Sequence, residues 1–321
     1  MIPIRDTTPS RNVPVVNHAL IAINVVVFMV EMMQGRTLDR FIFTYGLVPA
    51  RYTVEGLAGH FSFAQQIFAW ISFMFLHGGF LHLLGNMWSL HIFGDNVEDR
   101  LGPLRYLVFY LLCGITSGIS HLILNAASTA PTIGASGAIA GVMGAYFLLH
   151  PTSRILTLIP ILFIPWFVEI PAFFFLGFWF LMQFFSATAS GGTAGGIAWW
   201  AHIGGFVFGM FFLKLFVLLP GSGATARMRR MTAKKHSHRL QVVHPDGGRE
   251  ADIHATIAIS PYEALVGARK MVSVPFGLQQ RLFRVTVPPG IPANQTLRLR
   301  GQGRVRPDGN RGDLLLRVVI R

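Results

Sequence analysis

Three short stretches of this chain set side chains of catalytic type into runs that are otherwise apolar. The first is Phe75-Leu76-His77-Gly78-Gly79-Phe80-Leu81-His82-Leu83-Leu84-Gly85-Asn86, in which His82 and Asn86 stand four apart. On a helix beginning at Phe80 they share one face. The second is Gly134-Ala135-Ser136-Gly137, and the third runs from Ala201-His202 through Gly205 to Gly209. A serine hydroxyl is a weak nucleophile until a neighbouring base accepts its proton, and histidine titrates near neutrality. An oxyanion formed in such an attack needs donors, which Asn86, His82 and the amides opening a helix at Ser136 are placed to supply. The chemistry expected is acyl transfer by a Ser136–His202 dyad. No carboxylate lies close in these stretches, so no acidic third member is expected.

The elements that must position these residues are membrane spans. Of 321 residues, 52% are hydrophobic and 13% charged, with 28 Phe against 14 acidic residues. Soluble proteins carry about 25% charged residues, so a single-domain soluble enzyme is excluded, as is a disordered or fibrous chain. The apolar runs end near residue 220. The formal charge of +13 is spread along the chain, with 15 basic and 8 acidic residues up to position 239 and 12 and 6 beyond it. That distribution fits orientation in a membrane rather than nucleic-acid binding. Cys113 is the one cysteine, which rules out an intramolecular disulfide and says nothing of redox compartment.

A bilayer core needs roughly 20 apolar residues of helix. The expected spans are 17–33, 79–98, 104–124, 134–150, 170–186 and 197–219. Residues 155–169, interrupted by Pro160 and Pro165 and carrying Glu169, read as interfacial or re-entrant, and 66–76 as interfacial. With the N-terminus inside, six spans put Arg5, Arg11, Arg100, Arg105, Arg154, Arg227, Arg229, Arg230, Lys234, Lys235 and Arg239 on the cytoplasmic side, against Arg36, Arg40 and Arg51 outside. That is the expected bias. The start of the chain lacks the order of a signal peptide, so the first span is expected to stay as an anchor. Spans two, four and six then run in the same direction, and Ser136, His202, His82 and Asn86 fall at one depth below the outer surface. Gly137, Gly141 and Gly144 on one span, with Gly205 and Gly209 on another, form small-residue stripes that let backbones approach.

Each residue also has an ordinary reading. A serine in a membrane helix commonly bonds its own i−4 carbonyl or a neighbouring helix, and His91 and His121 read as structural or interfacial. The coincidence of three motifs on three spans at one depth sets the site apart. No histidine is followed by Glu as a His-Glu-x-x-His metalloprotease requires, and Asp95 has no second buried Asp to share a proton. His77, His82 and His202 match no standard metal spacing, so neither metal nor cofactor is expected.

The motifs around His82 and Asn86, the GASG at Ser136 and the AHIGGFVFG at His202 resemble, in order, those of the rhomboid family of intramembrane serine proteases. Val97-Glu98-Asp99-Arg100-Leu101-Gly102 resembles the turn that follows that family's second span. The resemblance covers about residues 12–219. It implies a six-helix bundle, Ser136 as nucleophile, His202 as general base, His82 and Asn86 as oxyanion partners, and an apolar membrane-lying loop before span two.

Residues 220–240 read as a basic Gly/Ser linker lying against an anionic inner leaflet. Beyond them the pattern changes to period two: Asp252–Ile259, Arg281–Val287, Thr296–Arg300 and Asp313–Ile320, separated by Gly/Pro turns, mark a small all-β sandwich over 241–321. SPYEALVGARK, TVPPGIPANQTLRLRGQG and GNRGDLLLRVVI resemble the C-terminal substrate-binding domain of DnaJ-type co-chaperones, as one unit over 250–321. This implies capture of extended peptide by strand addition. His244-Pro245-Asp246 spells the J-domain tripeptide but lies between strands, so a turn is its expected role.

The combined expectation is an integral plasma-membrane endopeptidase with both termini cytoplasmic. It would cleave membrane-protein substrates in or near their transmembrane segments, through an acyl-enzyme on Ser136. Its expected partners are membrane lipid, membrane-protein substrates, and a cytoplasmic peptide or chaperone met by the β-domain, with no nucleic acid. The rival reading is a non-catalytic rhomboid-like membrane chaperone or adaptor. A transporter would place ionisable groups near the midplane.

Overall fold

The computed structural model describes residues 1–8, 10–161, 164–189, 198–220, 223–232, 240–242, 251–276, 279–305 and 309–320. The chain forms two compact units, Met1–Lys234 and Lys235–Arg321.

The first unit opens with strand β1 (Ile2–Asp6) and helix α1 (Val15–Met33). Three short helices, α2 (Leu38–Tyr45), α3 (Ala50–Thr53) and α4 (Phe63–Ser72), make up the segment before α5 (Phe80–Leu101). Then come α6 (Pro103–Leu124), α7 (Ser136–Leu149), the hairpin β2 (Arg154–Ile161) and β3 (Ile164–Pro171), α8 (Ala172–Ala189), α9 (Trp199–Leu218) and α10 (Gly223–Thr232). Four helices, α1, α6, α8 and α9, are long and apolar enough to cross a membrane, and α4 with α5, bent by 78°, adds a fifth crossing if the pair is counted as one. The charges Asp95, Glu98, Asp99 and Arg100 crowd one end of α5 and lower its mean hydropathy. Helix α7 is apolar with 14 residues. This is a multi-pass membrane protein.

The acidic end of α5 fastens α1. Glu98 accepts from the Val16 and Asn17 amides at 3.1 and 2.7 Å, supplying acceptors that a helix N-terminus lacks. Asp99 accepts from the Arg11 and Asn12 amides. Asn17, fully buried, accepts from the Tyr106 hydroxyl at 2.8 Å and donates to the Leu90 carbonyl at 3.0 Å. Val97–Leu101, expected as a turn, are instead the last residues of α5, with only Gly102 outside the helix, and Glu98 and Asp99 among them hold the start of the first long helix.

Residues 154–171, part of which read as interfacial, form an antiparallel hairpin pairing Arg154 with Pro171 and Ile161 with Ile164. Three prolines, at 160, 165 and 171, deny this apolar run a helix, and β-branched residues between them suit a strand. Strand β1 adds to its edge in the order β1-β2-β3. Helix α8 therefore begins only at Ala172.

In the second unit, β4 (Leu240–Val242), β5 (Ile253–Ile259), α11 (Pro261–Val266), β6 (Ala268–Phe276), β7 (Gln279–Val287), β8 (Thr296–Leu299) and β9 (Leu314–Ile320) form two three-stranded sheets, β4-β6-β7 and β5-β9-β8. Alternate residues Ile253, Ala255, Ile257 and Ile259 meet Val272, Val274, Val285, Val287, Leu314, Leu316 and Val318 in one core, as period-two burial requires. Ser260 and Glu263 form a capping box that starts α11. Lys270, only 1% exposed, bonds Glu263 at 2.9 Å and the Ala258 carbonyl at 2.9 Å. The His244-Pro245-Asp246 tripeptide lies outside the described residues.

Candidate active site

Helices α7 and α9 pack backbone to backbone. A Cβ on Gly205 would overlap the Gly137 carbonyl, one on Gly209 the Gly141 carbonyl, and one on Gly144 the Phe206 carbonyl. The two stripes of small residues read in the sequence therefore face each other, and any side chain there would push the helices apart.

That approach has a chemical consequence. Ser136 is the first residue of α7 and His202 lies in the first turn of α9. His202 Nε2 stands 2.8 Å from Ser136 Oγ, within reach for a direct proton transfer. The other ring nitrogen, Nδ1, stands 2.8 Å from Gln183 Oε1 on α8. The imidazole is bracketed by Trp179, 6.0 Å between ring centroids, and by Trp199, 6.2 Å and nearly edge-on at 87°.

The α5 residues reach the same place. Asn86 is 8% exposed, and its side-chain amide nitrogen has no hydrogen-bond partner among the described residues. His82 Nδ1 accepts from the Gly78 amide at 3.3 Å. A Cβ on Gly134 would sit 2.9 Å from Cε1 and Nε2 of His82 and 3.6 Å from Ser136 Oγ. Gly134, with φ of 126°, takes a conformation closed to other residues and thereby lets the His82 ring lie beside the serine. Ser136, His202, His82 and Asn86 all line one cavity of about 740 Å³, together with Gln183 and His121.

Sequence reasoning missed Gln183, Trp179 and Trp199, and assigned His121 a structural or interfacial place although it lines this cavity. Gln183 was legible in principle, as the single strongly polar side chain inside the apolar helix Ala172–Ala189. His91, by contrast, is exposed on α5 and does not line the cavity.

Comparison with known proteins finds matches to both parts of the chain. Residues 64–218 match the Rhomboid domain and residues 232–321 the DnaJ C terminal domain. The chain thus carries a region similar to a Rhomboid domain followed by a region similar to a DnaJ C terminal domain. Among curated proteins, Rhomboid protein 1, mitochondrial, of Saccharomyces cerevisiae is 28% identical over 61% of this chain and 51% of its own length. Rhomboid protease GluP of Bacillus subtilis is 28% identical over 44% of this chain and 26% of its own. Chaperone protein DnaJ 1 of Streptomyces avermitilis is 41% identical over 24% of this chain and 19% of its own. The chain thus spans from 19% to 51% of the length of these relatives.

Proposed function

We propose that the rhomboid domain is an intramembrane serine endopeptidase, with Ser136 as nucleophile and His202 as general base. The observation that carries this reading is the 2.8 Å contact between Ser136 Oγ and His202 Nε2 in a cavity. In the reaction, Nε2 takes the serine proton as Oγ bonds to the scissile carbonyl carbon, and the carbonyl electrons move onto its oxygen. That oxyanion is met by the Asn86 side-chain amide, by His82 and by amides of the first turn of α7. The unpartnered Asn86 nitrogen supports this role, since a buried donor left unpaired costs about 1–3 kcal/mol and the oxyanion would satisfy it. Nε2 then returns the proton to the departing amine, and water hydrolyses the acyl-enzyme.

Depth supports the choice of membrane-protein substrates. In the proposed arrangement of six crossings, with N- and C-termini in the cytoplasm of a plasma-membrane protein, α7 is the fourth. Its 14 residues rise about 21 Å against a hydrocarbon core of about 30 Å. Ser136, its first residue, is then recessed below the surface, where peptide bonds of a transmembrane segment arrive and water enters from one side.

The DnaJ C-terminal domain is proposed to hold extended peptide, from substrate or from a chaperone partner, at a sheet edge. Fluorophosphonate labelling tests the protease reading against that of a binding protein. Wild type is expected to label and Ser136→Ala not to. A wild-type protein that is folded yet unreactive overturns the protease in favour of the non-catalytic rhomboid-like membrane chaperone or adaptor.

A further inference from the structure

A histidine serves as base through one nitrogen only if the other carries its proton. In a neutral imidazole one ring nitrogen donates and the other accepts, so whatever meets Nδ1 decides what Nε2 can do. Here Nδ1 meets the side-chain oxygen of Gln183 at 2.8 Å. With the amide oxygen toward it, an atom that only accepts, Nδ1 is the nitrogen that carries the proton. The lone pair is then left on Nε2, facing the Ser136 hydroxyl at 2.8 Å. The reverse tautomer would aim an N–H at Ser136 and could take no proton from it.

From this contact we propose that Gln183 is a positioning residue which holds His202 in the Nδ1–H tautomer, filling by a neutral amide the place that a carboxylate occupies in a three-member triad. The proposal rests on the Ser136–His202 reading above. Gln183 is 7% exposed on a helix whose other residues from Ala172 to Met182 are apolar, and a buried polar side chain keeps its place only when bonded. Trp179 lies one turn earlier on the same helix, against the His202 ring. A single face of α8 thus sets both the tilt of the imidazole and its protonation pattern. A neutral amide suits the location, since an ionised third member at membrane depth is costly.

When His202 takes the serine proton it becomes an imidazolium, and the Nδ1–H bond to Gln183 strengthens because its donor is now charged. Gln183 lines the cavity, but its hydrogen bond is to His202, so its effect on the reaction is exerted through His202 and is expected in kcat rather than in KM.

The test compares the full-length protein with Gln183→Met, which keeps length and volume but accepts no strong hydrogen bond, and Gln183→Glu, whose carboxyl oxygen still accepts. Cleavage of a model transmembrane substrate in detergent gives kcat and KM. Nitrogen-15 spectra of histidine-labelled protein give the tautomer, with the His202 signals assigned by their loss in His202→Ala. The expected result is an Nδ1–H tautomer in wild type. Gln183→Met should mix the tautomers and lower kcat roughly 10- to 100-fold, less than the roughly 100- to 10,000-fold that a positioned acid–base group contributes because His202 itself remains, with KM little changed. Gln183→Glu should recover most of the loss. Three results would each overturn the proposal: an Nε2–H tautomer in wild type, full kcat in Gln183→Met, or a lost kcat with the wild-type tautomer retained. Should Gln183→Met fail to fold, the wild-type tautomer still decides. Ser136→Ala run alongside separates the two readings. If it cleaves like wild type, the dyad is wrong. If it is inactive while Gln183→Met is not, only the role of Gln183 is.

Discussion

At the scale of single residues, the account turns on which polar side chains sit against which. Ser136, His202, His82 and Asn86 were legible because each interrupts an apolar run, where polar groups are costly to place. Gln183 has the same signature, but it stands alone on its helix, without a motif to draw attention. Its partner is 19 residues away across a connection, so only the fold brings the two together. Asn86→Ala should lower kcat by about 100-fold, the loss usual for one oxyanion donor, while the rate of substrate binding stays unchanged. Stopped-flow binding measured beside single-turnover cleavage separates the two. An equal loss in both would make Asn86 a structural residue.

At the scale of elements, the site exists because α7 and α9 touch along glycine. Gly209→Val places a side chain where the Gly141 backbone lies, and should open the helices and lengthen the Ser136–His202 contact. Labelling by a fluorophosphonate is expected to fall roughly tenfold or more, as a displaced reacting pair loses its alignment. Unchanged labelling would show that the close approach is not needed. The stripes were readable as spacing, whereas the 154–171 hairpin was not. A run that is apolar throughout carries no period, and its prolines exclude a helix without announcing a strand. In the second unit the alternation was plain, but Lys270 was not foreseen as buried. Burial raises the carboxyl of its partner Glu263, and bonds from Ser260 and Lys270 more than offset this, leaving it below the usual range. A carboxyl lowered on folding stabilises the fold at pH above its unfolded value, and that contribution is lost as pH falls through the folded value. Glu263→Gln should therefore destabilise the β-domain by on the order of 2 kcal/mol at neutral pH and flatten its acid unfolding curve. A wild-type acid profile in the variant would contradict this.

At the scale of the whole molecule, two units with separate cores were expected from the change of period near residue 240. The stretch 220–240 had read as linker, yet α10 lies in it and Arg229 bonds the Asp99 and Arg100 carbonyls. A basic decapeptide of low hydropathy gives no hint of such docking, because the acceptors are backbone atoms. A cut for separating the units belongs after Lys234, and the fragment 1–234 is expected to cleave a solubilised substrate at close to the full-length rate while losing part of the cellular substrate range. The central claim remains proteolysis by the Ser136–His202 pair, and its most direct measurement is cleavage of reconstituted transmembrane substrates by purified wild type and Ser136→Ala side by side. The account predicts cleavage by wild type and none by the variant. Equal cleavage by both, or none by a folded wild type across the substrate panel, would contradict it.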